Sequence, residues 1–406
     1  MLMTTGDVIR RLRRSIGMTQ TELGALINFS QPAVSLLERN GPASFDIRVL
    51  RLVARAFQVP LAILVVESDE EAQVDRRQFF RVGALGVGAA AAGAGHAVAS
   101  GIQVGVSDVV EIRGSVNEVH ELDLLVGGDR LCLLAAGQVH RAQWLLDNAS
   151  YTEEVGKALA SATAELMTAA GWVHFDANER QAAREFYADA VQTANESGDG
   201  IAAAHALMNA SIIDLPTIGL APFDGEAYRP RPQTAVNLSR AAQSAARGQG
   251  GPKVRALAEL REAQAQGVID STSMEKAIGR AHRAYESGRG YDPEWVWLPE
   301  AEFNALMGIA YLGAGMNKQA GSYLQAAHDT AGDWPREKAA WQLYQAQNYI
   351  DAGDPARACS LLSKNFDAIQ RVASARLQRK LDALAAKIRL YADISEVKEF
   401  LEKQAE

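Results

Sequence analysis

The stretch TQTELGALINFSQPAVSLLERN, Thr19–Asn40, decides how the chain begins to fold. Thr19 and Glu22 stand three residues apart as a capping box, and Met18 with Leu23 can close a hydrophobic staple across the same helix start. Leu23, Leu26 and Ile27 fall at helical spacing and predict an inward face. Asn28 follows where the chain must turn, and asparagine tolerates the left-handed backbone such a turn requires. Ser30 is expected to cap a second helix, whose first turn accommodates Pro32. Val34, Leu36 and Leu37 supply its apolar positions before Asn40-Gly41-Pro42 stops it.

Two short capped helices joined by a turn of three or four residues make a helix-turn-helix. Outward from this pair, GDVIRRLRRSIG predicts a preceding helix with Val8, Ile9, Leu12 and Ile16 inward. FDIRVLRLVARAFQV predicts a following helix, and PLAILVV closes the unit. The stretch from Gly6 to about Val66 resembles the phage-repressor (xenobiotic-response-element) type of DNA-binding domain. The resemblance implies that Gln20 grips a phosphate and that Gln31 reads adenine in the major groove with its bidentate amide. The eleven-residue gap between these two amides suits mutual bracing. By the same resemblance Ala33 contacts a thymine methyl, Ser35 a base edge or phosphate, and Arg39 and Asn40 meet backbone phosphates, with Ser30 counted in the same DNA-binding set. Leu36 departs from the pattern, since it stands where some relatives carry a polar base reader.

Charge separates this head from the rest. Residues 1–66 hold eight arginines against Asp7, Glu22, Glu38 and Asp46, whereas the whole chain of 406 residues carries a net charge of −8. A basic head on an acidic body directs the head, not the body, toward double-stranded DNA. The two cysteines lie far apart, which fits a reducing, cytoplasmic setting. No run is apolar enough to span a membrane.

Beyond Ser107 the sequence becomes Ala-rich helical segments punctuated by Gly-Asp and Asp-Pro. One pattern recurs: Gly171, His174, Ala183, Tyr187, Ala190; then Gly308, Tyr311, Ala320, Leu324, Ala327; then Ala346, Tyr349, Ala358, Leu362, Asn365. A weaker copy has Ala277, Ala281 and Ala284. The pattern resembles the tetratricopeptide repeat, in which small residues let paired helices approach and larger ones fill the gaps. The expected fold is therefore all-α, a five-helix repressor-like domain followed by a tetratricopeptide-like helical-repeat superhelix. The expected division is a head over 1–66, a linker over 67–107 and a repeat domain over 108–406. The last segment, with Leu377, Leu381, Leu384, Ile388 and Tyr391 in register, reads as a capping helix or a dimer seam. DLPTIGLAPFDGEAYRPRPQ, Asp214–Gln233, reads as a long non-helical connection. Trp295 and Trp297 flank another break, where they either stack on a ligand or pack beneath a loop.

Stacked repeats expose a concave surface suited to a peptide or protein partner. By register, Glu165, Trp172, Asp176, Glu302 and Gln347 are expected to face it, with Glu259, Glu262 and Gln266 in the weaker repeat. A DNA-binding head on such repeats resembles the peptide-sensing regulators of Gram-positive bacteria, which implies a homodimer whose ligand alters the spacing of two heads. The alternative is an interaction scaffold or antagonist that uses its head only to localise. No nucleophile elbow, phosphate loop or metal-spaced His/Cys set occurs, so no catalysis, metal or cofactor is expected. Gly86–Ala91 mimics a dinucleotide fingerprint but has no strand before it. The segment Val74–Ser100, with Arg76-Arg77 ahead of a Gly/Ala run and Ala97-Val98-Ala99, has the parts of a twin-arginine export signal. Behind a folded head it reads instead as a linker.

Overall fold

The computed structural model describes residues 4–57, 59, 61–64, 102–126, 128, 131–215, 230–288, 290–332, 334–372 and 374–405. The described residues hold eighteen α-helices, and their only β-pairing is an isolated bridge between Gln103 and Ser150. The architecture is all-α. The segment Val74–Ser100, the glycines of 86–91 within it, and residues 216–229 lie outside the described residues. The described residues divide into two compact units, one within 4–104 with 147–151 and the other within 105–146 with 152–405.

In the first unit, α1 (Thr5–Ser15), α2 (Gln20–Ile27), α3 (Gln31–Leu37) and α4 (Ile47–Phe57) enclose a core of Val8, Ile9, Leu12, Leu23, Ile27, Val34, Leu37, Leu50 and Val53. A 3₁₀ turn, Leu61–Ile63, closes it, and Thr5 Oγ1 donates to Leu64 O across the closure. Both sides of the Thr19–Glu22 capping box are formed, and Asn28 ends α2 in the left-handed conformation at φ 59°. Gly24 is required at this turn: a Cβ there would lie 2.3 Å from Phe29 O. Ser30 occupies the capping position of α3 with extended backbone, but its side chain accepts no hydrogen bond from the helix. Three expected core positions are exposed instead: Ile16 at 56%, Leu26 at 57% and Leu36 at 51%. Helices of seven to eleven residues bury only a narrow stripe, and these side chains fall at its edge.

The second unit opens with α5 (Val106–Val126) and α6 (Cys132–Asn148) and continues as helix pairs: α7 (Glu153–Asp176) with α8 (Arg180–Ser197), α9 (Gly200–Ile213) with α10 (Pro232–Ala245), and α11 (Pro252–Gln266) with α12 (Ser271–Glu286). Then come α13 (Glu300–Gly313) with α14 (Asn317–Asp329), α15 (Pro335–Asp351) with α16 (Pro355–Gln370), and finally α17 (Ala375–Ile388) and α18 (Ser395–Ala405). Glycine and aspartate punctuate them for physical reasons. Gly198 and Gly353 take φ of 77° and 82°, and the following Asp199 and Asp354 accept backbone N–H groups as helix caps.

The repeated slots are the contacts within pairs. Tyr187 is fully buried against Gly171, where a Cβ would come within 2.5 Å of its ring, and Leu324 fills the same role against Gly308. The pair α9–α10 has no counterpart in the sequence pattern, because its helices are separated by the long Asp214–Gln233 connection. That connection is shorter at one end than expected: Pro232 and Gln233 already belong to α10, with proline in the first turn.

The odd-numbered helices from α7 to α17 lie on the inner side, successive members packing on one another. The series curls until α17 meets α7 again. Ser374 Oγ donates to Asp176 Oδ1 at 2.8 Å, with Arg376 Nε on the same oxygen at 3.2 Å, and both guanidinium NH groups of Arg336 reach Asp123 Oδ2 at 2.6 and 2.5 Å. These contacts span about 200 residues of sequence and close the repeat series into a ring. The leucine stripe of α17 is inside this body: Leu377, Leu381, Leu384 and Ile388 are buried with Leu343, Ile350 and Leu362. Those leucines are therefore not a dimer seam, and only Tyr391, 40% exposed, stands outside.

Candidate nucleic-acid interface and ligand cavity

At the start of α3, a chain of hydrogen bonds runs from the core to the surface. Glu38, 2% exposed, accepts from Arg13 Nε at 2.5 Å and Arg13 NH2 at 3.1 Å. Its Oε2 also accepts from Gln20 Nε2 at 2.8 Å, and Gln20 Oε1 in turn accepts from Gln31 Nε2 at 2.5 Å. Burial opposes the charge on Glu38, yet hydrogen bonds from Arg13 and Gln20 and the charges of Arg13 and Arg10 outweigh it. The carboxyl is held below its ordinary value of 4.5. A buried, paired carboxylate thus fixes Gln20, and Gln20 fixes the amide of Gln31 at an exposed helix start. Each link restricts rotamers before any ligand arrives, the preorganisation a base reader needs.

Residues 9–64 match the family model described as helix-turn-helix. The N-terminal domain is a phage-repressor-type helix-turn-helix. No curated protein matches the chain.

Within this domain, Gln31, Pro32 and Leu36 are exposed on α3, with Ala33 and Ser35 half-buried beside them. Arg39 is exposed and donates to Ser35 O. Asn40 has a structural commitment the sequence reading lacked: in left-handed conformation at φ 61°, it accepts from Gly6 N at 2.9 Å through Oδ1. Arg13 and Glu38 were missed as site residues. The signal was present, since each is a charged residue of opposite sign in its helix's apolar stripe, beside Leu12 and Leu37.

The ring of the second unit encloses a cavity of about 590 Å³. Of the chain's six tryptophans, five line it: Trp172, Trp295, Trp297, Trp334 and Trp341. Trp295 stacks on His205 at 3.7 Å and 7°, and Trp297 stands edge-on to Trp334 at 4.8 Å. Trp172 Nε1 donates to Asp123 and Trp341 Nε1 to Glu302 Oε2. Four cations, Arg261, Arg336, Arg376 and Lys380, share the wall with Asp123, Glu302 and Glu337. Burial pushes the Glu302 carboxyl up to about 7, against the pull of Arg261. Burial and the nearby Arg376 push Lys380 down to about 7, and its ammonium sits 4.1 Å from the ring centre of Tyr344.

Of the eight residues expected on the concave surface, Trp172 and Glu302 line the cavity. Glu165 lies behind it, holding His205 Nδ1 at 2.7 Å, and Asp176 is sealed in the ring closure. Gln347 is buried further along α15 and donates to Asp351. Glu259, Glu262 and Gln266 do not reach the cavity. Leu257, Arg261 and Gln264 carry α11's inner stripe; at about 100° per residue the three expected positions are turned roughly 100–160° from Arg261. Glu259 and Glu262 instead bind Arg280 and Gln243, and Glu262 also binds Arg240. Outside the cavity, ligand atoms of Cys132, His174 and Glu179 lie within 4.8 Å of one another, with His174 Nδ1 committed to Ala170 O. The sequence spacing had shown no such cluster. No helix among the described residues is long and apolar enough to cross a membrane.

Proposed function

We propose that the protein is a transcriptional regulator of the bacterial cytoplasm, not an enzyme, in which the helix-turn-helix head reads an operator and the repeat body holds a ligand or partner that modulates that reading. The observation that carries it is the braced Gln31 at the exposed start of α3, backed by Gln20 and the buried Arg13–Glu38 pair. A scaffold that used its head only to localise would have no need to immobilise a base-reading amide. Gln31 offers a donor and an acceptor to an adenine edge, and the eight arginines of the head supply the salt-dependent attraction to phosphates. The body's small-residue helix pairs support a tetratricopeptide-type ring, and its aromatic cavity supports binding of a ligand. Operator recognition by such heads works through pairs of half-sites, so the acting species is a homodimer.

The test is anisotropy of the full-length protein on its own upstream DNA and on scrambled DNA at two salt concentrations, with Gln31→Ala in parallel. The expected outcome is selective, salt-dependent binding, with selectivity lost in Gln31→Ala while the salt slope persists. Equal, weak binding to both DNAs, with no response to Gln31→Ala, would turn the reading toward a scaffold.

A further inference from the structure

The cavity's wall has one guanidinium treated differently from the other two. Arg336 is held by Asp123 and Arg376 by Asp176, each through direct hydrogen bonds. Arg261 has no hydrogen-bonded carboxylate among the described residues: it donates NH1 to the neutral amide of Gln264 at 2.9 Å, and its buried Nε, like that of Arg336, has no partner there. Glu302 is the acidic group whose field reaches Arg261, and Glu302 relieves its own burial by moving toward the protonated form. A carboxyl can escape a dry site in this way, whereas a guanidinium keeps its charge. Arg261 is therefore a positive charge with no hydrogen-bonded carboxylate among the described residues, and it faces a chamber walled by indoles.

We propose that the ring cavity binds a small planar aromatic molecule bearing an anionic group, with its anionic group on Arg261 and its ring among the indoles around Trp334 and Trp341. The proposal rests on the ligand-responsive reading above and names the ligand class. A volume of about 590 Å³ falls within the range of small-molecule sites, and the contacts of α17 and α15 with α7 and α5 close the ring where an extended peptide would need a groove. Flat faces suit the site, since Trp295 and His205 already stack and Trp297 meets Trp334 edge-on. An anion on Arg261 supplies the charged acceptor that the described residues do not.

The test is calorimetric titration of the full-length protein with 2-naphthoate, its neutral isostere 2-naphthamide and the cation 2-naphthylmethylammonium. The naphthoate is expected to bind at least tenfold more tightly than either. Arg261→Gln should abolish that preference, Arg261→Lys should retain part of it, and Trp334→Ala should weaken naphthoate and naphthamide together. Equal affinities, a preference for the cation, a preference surviving Arg261→Gln, or no binding of naphthoate at millimolar concentration would each overturn the proposal. If Arg261→Gln fails to fold, the wild-type comparison of the three probes decides it. DNA selectivity is measured separately on ligand-free protein. Loss of the naphthoate preference with selective DNA binding intact defeats this inference alone; non-selective DNA binding with the preference intact defeats the regulator reading alone.

Discussion

Replacing Glu38 by glutamine keeps the shape of the side chain and removes one charge from the pair that underlies the head. Arg13 would then keep its guanidinium at 8% exposure with Met18 O as a remaining acceptor, at 2.7 Å from NH1. Breaking a buried pair by removing one partner costs about 3–5 kcal/mol, because the surviving charge stays desolvated. The lower end applies here, since the substituted amide can still accept one hydrogen bond. At about 1.4 kcal/mol per tenfold, a loss of about 3 kcal/mol speeds exchange through unfolding of the head by roughly 100-fold. The assay is hydrogen exchange of the full-length protein, read by mass spectrometry on peptides covering α2 and α3. Its pH dependence provides a second constraint. The carboxyl of Glu38 is held below its ordinary 4.5, so its stabilisation is fully present above that value and is lost as pH falls through the depressed folded value. The gap between wild type and Glu38→Gln should therefore close in acid. Exchange within threefold of wild type at pH 7, or a gap undiminished at pH 3, would refute the reasoning.

Two further predictions concern the core. Gly171→Ala puts a methyl within 2.5 Å of the fully buried Tyr187 ring; overpacking of about 1–3 kcal/mol outweighs the gain of about 1 kcal/mol in helix propensity, so the body should melt at lower urea concentration. Leu26→Gln should change head stability by less than about 0.5 kcal/mol in the same exchange assay, whereas Leu23→Ala should cost about 2–5 kcal/mol, because only Leu23 is buried.

What could be read from the sequence follows the range of the interactions involved. The caps at Thr19 and Asn28 and the small-residue slots at Gly171 and Gly308 depend on neighbours within a few turns, and their residue types have few substitutes. Periodicity placed Leu23 and Ile27 inside but could not weigh Leu26, since a short helix does not reveal how wide its buried stripe is. For the cavity the limit was register. In α13 a strong repeat match oriented Glu302 correctly. In α11 the match was weak, and an error of nearly half a turn, roughly 160° at about 100° per residue, exchanges the stripe of Arg261 and Gln264 for that of Glu259 and Glu262. Ring closure lay further out of reach. Asp123 with Arg336 and Asp176 with Ser374 are separated by about 200 residues, so no local pattern relates them. Charged residues within the small-residue inner helices were the available signal. A chain that places Arg261, Arg336, Arg376 and Lys380 on otherwise tightly packed inner helices must either pair those cations across the ring or present them to a ligand. The structure shows hydrogen-bonded carboxylates for Arg336 and Arg376, and that pairing is what sets Arg261 apart.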